Sequence, residues 1–330
     1  MPLTTAHYLK QIAQYREIAS DLDEQDAYRL FSALLDVGVP DIEMGALLTA
    51  LRMKSESLSE LLGFHRALTE RQYTLEPPRS EIWPLVIPSY SGARDKLNLL
   101  PLLALMARHF GIPVLVHGTL EGYGRVASAY IFRELGIMPC TSLSQTQKAL
   151  DSERLAFVPT AVLAPGLTTL LQLRGRLGVR NSAHVLVKLL DPFHGRSIRL
   201  VSASHAEHLM RLREFLRVSN ANALLLRATE GEPFADPARR PRLELFREGE
   251  SRVLFEAESE TVKNTLGTVK TINAADTAAW IRQALAGDIP LPLPLVNQLA
   301  CCLYACGYTD ELNQAKAIAA VSSGTLVFAP

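Results

Sequence analysis

Between residues 85 and 118 the apolar pattern changes period twice. Leu85-Val86-Ile87 is a continuous apolar run that stops at Pro88. Leu97 to Phe110 spaces its apolar residues along one helical face and ends at Gly111. Val114-Leu115-Val116 is a second continuous run. Short unbroken runs read as buried strands and the spaced run as a helix, so this stretch predicts a βαβ unit. Ser89-Tyr90-Ser91-Gly92-Ala93-Arg94 has turn chemistry. Parallel βαβ units carry ligand loops at the carboxyl ends of their strands, which directs attention to the loops after Ile87 and Val116.

Residues 5–75 carry helical periodicity throughout. A first amphipathic helix is expected over Ala6 to Ile18, and a second, capped by Asp21 or Asp23, to about Val37. Asp41 is expected to cap a third, Ile42 to Met53, buried on most sides. A fourth runs from Ser55 to about Gln72. Pro77-Pro78 then marks a boundary. Beyond the βαβ unit, helices are expected over Arg125–Leu135, Ser144–Leu150, Leu167–Leu177, Asn181–Leu190, His205–Arg217, Ala275–Ala286, Leu293–Gly307 and Thr309–Ala320. Strands are expected over Ala156–Pro159, Ile198–Ala203, Ala223–Leu226, Arg242–Phe246 and Arg252–Phe255. The tail GTLVFAP reads as an edge strand or a frayed end. Strand alternating with helix gives an α/β class with a helical block in front.

The chain has 330 residues, 48% of them hydrophobic, and 34 basic against 34 acidic side chains. Zero net charge gives no overall push toward nucleic acid or anionic membrane, so only a local patch can supply one. Cys140, Cys301, Cys302 and Cys306 form no paired metal or disulfide spacing and read as core residues. No apolar run is long enough to span a bilayer and the N-terminus has no signal core, so the expected location is the cytoplasm. No Walker loop, dinucleotide fingerprint, zinc spacing or Ser-His-Asp order is present.

Several phrases together carry a family likeness. The opening block LDEQDAYRLFSALLDVGVPDIEMGALLTALRMKSESLSELLGFHRAL resembles that of anthranilate phosphoribosyltransferase and its nucleoside-phosphorylase relatives. IPSYSGAR, VHG, LGVRNSAH, the TEGE of Thr229 to Glu232 and the ACC of Ala300 to Cys302 resemble a divergent TrpD-like branch of that family. The resemblance implies a fold of the glycosyltransferase family 3 type. It has a small all-helical domain, 1–75 plus about 165–190, and a large α/β domain, 80–164 plus 191–330, with a central mostly parallel sheet. It also implies a homodimer through the helical domains and a cleft between the two domains.

The enzymes of that family hold phosphoribosyl pyrophosphate on a glycine-rich loop with an acidic end, because backbone N–H groups there close on the pyrophosphate. The matching loop is Ser89-Tyr90-Ser91-Gly92-Ala93-Arg94, which keeps Gly92 and has Arg94 near the acidic position; Asn98 matches the family's Asn. The second loop keeps His117 and Gly118, but Val116 and Leu120 replace the phosphate-binding Lys and Arg. Charge-assisted contacts are worth about 1.5–3 kcal/mol each, so losing two weakens pyrophosphate binding by orders of magnitude. Pro233-Phe234 stands where the family has its metal-binding acidic pair. Glu230 and Glu232 lie nearby, one residue apart. Arg180 matches an arginine that contacts the aromatic acid, and His184 falls at a family Asn. No cofactor is expected, and Mg²⁺ only with a transferase.

The basic residues gather locally. Arg174, Arg176, Arg180 and Lys188 precede the first acid, Asp191, and Arg211, Arg213 and Arg217 share a helix. The divergent branch is associated with sequence-independent nucleic-acid binding by a basic groove across a dimer. Arg94, Lys96, Arg174, Arg176, Arg180, Lys188 and Arg211 are therefore the expected contacts to single-stranded DNA or RNA. The competing readings are a solvated basic face, with Arg239, Arg240 and Arg242 neutralised by nearby acids, and a phosphoribosyltransferase with an altered acceptor. His184 reads as a core histidine or a site residue, and His117 as a site residue or a structural one. Tyr90 and Tyr123 are loop candidates for base stacking; Tyr130 is expected to pack inside a helix.

Overall fold

The computed structural model describes residues 5–14, 20–259 and 272–325. The chain divides into two compact units, residues 1–74 with 160–192, and residues 75–159 with 193–330.

In the first unit, Glu24–Leu35 packs along Leu58–Thr69. The rings of Phe31 and Phe64 stack with centroids 4.5 Å apart. Gly63 permits this approach, since a Cβ there would lie 2.4 Å from the Glu24 carbonyl oxygen. Asp23 caps the first of these helices and Ser57 the second, the latter in a reciprocal capping box with Glu60. Glu60 is fully buried and also takes Lys54 Nζ at 2.7 Å and the Leu22 N–H at 3.0 Å, which compensates its desolvation.

The helix Asp41–Lys54 departs from expectation. Pro40 is its N-cap and Asp41 lies in its first turn. Met44, Leu47, Leu48 and Leu51 form a single buried stripe, while Ile42 and Met53 are 85% and 74% exposed. A single stripe leaves the opposite helix face uncovered, and that face carries apolar residues here. The first helix ends at Ile12, short of Ala13 and Gln14, and residues 15–18 of its expected span lie outside the described residues. The expected helix Leu167–Leu177 is broken into Pro165–Gln172 and Arg174–Leu177. Asn181–Leu190 shortens to Ala183–Leu186, because the Asn181 side chain bonds the Leu170 carbonyl and the Ala183 N–H.

The second unit is built on one sheet. Its strands are β1 (Leu85–Ser89), β2 (Val114–Gly118), β3 (Leu155–Pro159), β4 (Ile198–Ala203), β5 (Ala223–Arg227), β6 (Leu243–Arg247) and β7 (Glu250–Phe255). Their order is β3-β2-β1-β4-β5-β6-β7, parallel from β3 to β5 and antiparallel at β6 and β7. The helices Leu100–His109, Ser128–Glu134, Ala274–Ala286 and Leu293–Ala305 share one apolar core with the sheet, including Cys301, Cys302 and Cys306. Pro88 is tolerated inside β1 because the ladder to β4 pairs only Leu85 and Val86. The helix expected from Arg125 starts later, at Ser128, since Ala93 and Val126 form an isolated bridge. The last helix, Leu312–Thr325, takes in the start of the tail; 326–330 lie outside the described residues.

Candidate functional site

The carboxyl ends of β1 and β2 bring the two loops together. Gly118 follows His117 at the end of β2, paired with Ser89 of β1. A Cβ at Gly118 would lie 1.9 Å from the Ser89 carbonyl oxygen, so this glycine is required by strand packing alone. His117 is fully buried, and burial pulls its pKa down to about 3, so it is a neutral imidazole. Asn98 is also fully buried. Its Nδ2 donates to Ser128 Oγ at 3.0 Å and the Val126 carbonyl at 3.2 Å. Ser89 Oγ lies 2.7 Å from the same Ser128 hydroxyl. Asn98 therefore braces the loop from behind.

The loop after β1 points successive backbone N–H groups toward one place, with Gly92 at φ 66°. That geometry attracts an anion, and the chain supplies its own. Glu232 Oε1 accepts from the Ser91 N–H at 2.7 Å and the Gly92 N–H at 2.6 Å. Glu230 accepts from the Arg94 N–H at 2.5 Å and the Asp95 N–H at 3.0 Å. Both glutamates come from a tight turn, where the Thr229 and Glu232 backbones bond each other at 3.0 Å and Glu230 and Gly231 have positive φ. Arg125 locks the assembly: its guanidinium donates to the carbonyls of Gly92 and Glu230 and lies 3.6 Å from the Glu230 carboxylate. Gln298 fixes the chain just beyond by bonding the Pro233 carbonyl and the Ala235 N–H.

Sequence spacing does not reveal this pairing, because the turn lets two residues one apart face the same loop. The loop tyrosines also depart from expectation: Tyr90 is buried and Tyr123 half-buried. Tyr130, expected to pack, is 39% exposed. Val116 is fully buried in the sheet core, and Leu120 is half exposed. A pyrophosphate with Mg²⁺ does not fit this arrangement as it stands. The backbone donors are taken, and both nearby carboxylates are committed to them. Among the described residues no group of three or more His, Cys, Asp or Glu is placed to hold a metal ion.

The basic residues fall in both units. In the second unit Arg94 is exposed, Lys96 pairs with Asp236, and Arg211 is half-buried with its Nη1 enclosed. Arg213 and Arg242 both face the buried carboxylate of Glu244, at 2.9 and 3.7 Å, and Arg240 lies 3.3 Å from Glu258. In the first unit Arg176 pairs with Asp41 at 3.0 Å on the surface. Arg174, Arg180, His184 and Lys188 gather more closely. Burial first, then Arg180, pulls the Lys188 amine down to about 8 against the opposing pull of Glu56. Burial, then Arg180 and Arg174, holds the His184 imidazole at about 3. Two groups thus register the same local positive field.

The helical unit, the parallel sheet with its two antiparallel edge strands, and the paired loops define the class: a phosphoribosyltransferase-type scaffold. Residues 6–71 match the helical bundle domain of a glycosyl transferase family. Anthranilate phosphoribosyltransferase of Thermus thermophilus superimposes with a TM-score of 0.76 at 24% identity, covering 92% of each chain. The Saccharomyces cerevisiae enzyme, in complex with PRPP and Mg, gives 0.71 at 15% identity, over 97% of this chain and 93% of that one. Among curated proteins, YbiB of Escherichia coli K12 is 41% identical over 310 residues, 94% of this chain and 96% of the relative. The chain belongs to the TrpD-like family, in the branch that contains YbiB. No helix among the described residues is long and apolar enough to cross a membrane.

Proposed function

We propose that this chain is a non-transferring member of its family that binds single-stranded nucleic acid by its phosphates. The observation that carries the reading is the self-occupied loop. Glu230 and Glu232 hold the backbone donors that a pyrophosphate would need, while cations persist elsewhere. Arg174 and Arg180 form the core of the contact set, and the buried Lys188 adds to their positive field. Arg176 extends it within the helical unit; Arg94, Lys96 and Arg211 are further expected contacts on the α/β unit, and those already paired to acids contribute less. The reading includes a cytoplasmic homodimer formed through the helical unit. Its support is the apolar groove of about 770 Å³ lined by Ile12, Ile42, Ala46, Ala50, Met53 and Leu177. A second copy doubles the cations offered to one strand.

Such binding is indifferent to sequence and falls with salt, with a log–log slope of about 0.7 per phosphate contact for single strands. Anisotropy titrations of a labelled oligothymidylate at several salt concentrations measure it. Arg174→Ala/Arg180→Ala is expected to lower both affinity and slope. Binding that stays flat with salt, or is absent at low salt, refutes the reading.

The relatives' names favour a second reading, a phosphoribosyltransferase using phosphoribosyl pyrophosphate and Mg²⁺ with an altered acceptor; one such relative is the Geobacillus kaustophilus anthranilate phosphoribosyltransferase, 23% identical over 318 residues. Gly92, Asn98, His117, Gly118 and Arg180 are its remaining matches. It requires both glutamates to release the loop. Calorimetry with phosphoribosyl pyrophosphate and Mg²⁺ separates the two readings: saturable heat that survives Arg227→Ala/Arg239→Ala supports the transferase, and no heat at millimolar ligand excludes it.

A further inference from the structure

A cavity of about 560 Å³ opens inside the second unit, beside the carboxyl end of β5. Its size suits a small molecule rather than a polymer. Leu209, Leu225 and Pro241 give it an apolar wall. Six cationic side chains line it against three carboxylates, Glu230, Asp236 and Glu244. The carboxylates do not cancel the cations evenly. Lys96 is matched by Asp236, Glu244 faces both Arg213 and Arg242, Glu256 also faces Arg242, and Glu258 faces Arg240. Glu230 is spent on the loop N–H groups and Arg125. Arg227 and Arg239 have no acidic partner within 4.0 Å among the described residues, and both are exposed at the cavity.

We propose that this cavity binds a small phosphorylated molecule, with its phosphoryl group held by Arg227 and Arg239 and its body against Leu209, Leu225 and Pro241. Guanidinium forks match the tetrahedral oxygens of a phosphoryl group and keep their charge at any working pH. A concave wall of low polarizability strengthens the positive field over what the same arginines give on an open surface. The two positive charges left without an acid argue for a dianion, and the apolar wall argues that the ligand carries more than its phosphate. The site does not rest on the nucleic-acid reading, since it lies within the α/β unit, shares only Lys96 with that contact set and uses none of Arg174, Arg180 or Lys188.

The test is calorimetry on the full chain with two probes, inorganic pyrophosphate and glucose 6-phosphate. Both are expected to bind saturably at one site per chain. Arg227→Ala/Arg239→Ala, two exposed positions, should weaken both by about tenfold or more. Leu209→Trp should weaken glucose 6-phosphate more than pyrophosphate, because it crowds the wall that receives the body. Arg174→Ala/Arg180→Ala should leave both unchanged. The proposal is overturned if neither probe binds at millimolar concentration, or if binding survives Arg227→Ala/Arg239→Ala intact. It is equally overturned if Arg174→Ala/Arg180→Ala abolishes binding.

Discussion

Replacing Glu232 with alanine removes the acceptor for two buried N–H groups, those of Ser91 and Gly92. An unsatisfied buried donor costs about 1–3 kcal/mol, so the pair costs about 2–6 kcal/mol. Glu232→Gln keeps an oxygen in place but loses the charge. Bonds to a charged acceptor contribute about 1 kcal/mol more than neutral ones, and relief of carboxylate desolvation offsets part of that, so the glutamine variant should lose about 2 kcal/mol or less. Both tryptophans of the chain, Trp83 and Trp280, belong to the α/β unit. Urea denaturation followed by tryptophan fluorescence therefore reads the stability of the unit that contains the loop. Pyrophosphate should stabilise Glu232→Ala beyond whatever it gives the wild type, since the vacated N–H groups can accept an anion. A midpoint for Glu232→Ala within about 0.5 kcal/mol of wild type would refute the reasoning, because exposed or idle carboxylates behave that way. So would a glutamine variant less stable than the alanine one.

Other perturbations follow from the same structure. Lys188 is protonated in both states below its folded pKa of about 8; between there and the unfolded value near 10.5 only the unfolded chain keeps the proton. Stability should therefore rise with pH across that window, by on the order of 3 kcal/mol in total, and Lys188→Met should abolish the rise in urea titrations. The same deprotonation predicts that oligonucleotide affinity falls between pH 7 and 9. His117, with its pKa held near 3, contributes stability that is complete above the unfolded value near 6.5 and lost as pH falls toward 3. His117→Gln should flatten the tryptophan-monitored acid slope by about 1.4 kcal/mol per pH unit in that range. Gly118→Ala drives a methyl group into the Ser89 carbonyl; it should cost about 3 kcal/mol or more and appear as a large drop in denaturation midpoint.

Much of this architecture is legible in the sequence where one period dominates. Leu85-Val86-Ile87 and Val114-Leu115-Val116 announce buried strands, and both lie inside the sheet, paired on both sides. The helix 42–53 is harder to read, because Ala, Gly and Met on both sides blur its stripe; only the fold shows Ile42 and Met53 facing out. Residues 165–190 look like longer helices than they form, because Asn181 diverts backbone bonding through its side chain, which periodicity does not register. The loop glutamates are visible in sequence only as two acids near a vanished pair. Their direction depends on a turn with two successive positive φ values, at Glu230 and Gly231, and glutamate is not a residue that signals such a turn. The basic clusters are visible in sequence, but pairing depends on tertiary neighbours: Arg240 meets Glu258, eighteen residues away, rather than an acid beside it.

The loop is better described as inverted than as eroded. Erosion would leave backbone donors facing solvent, ready for any anion. Here the donors are filled by carboxylates of the chain itself, so an incoming pyrophosphate competes with an intramolecular ligand that is always present at the loop. It must also enter beside two negative charges with Arg125 already engaged. The turn cannot yield cheaply, because its own backbone bonds and the two bonds from Gln298 hold it in place. Loss of cations alone would weaken an anion site; occupation of its donors removes the site until the glutamates leave. Any residual transferase activity must therefore be limited by release of Glu230 and Glu232, and should increase in Glu232→Gln, whereas a site weakened only by missing cations would show no gain.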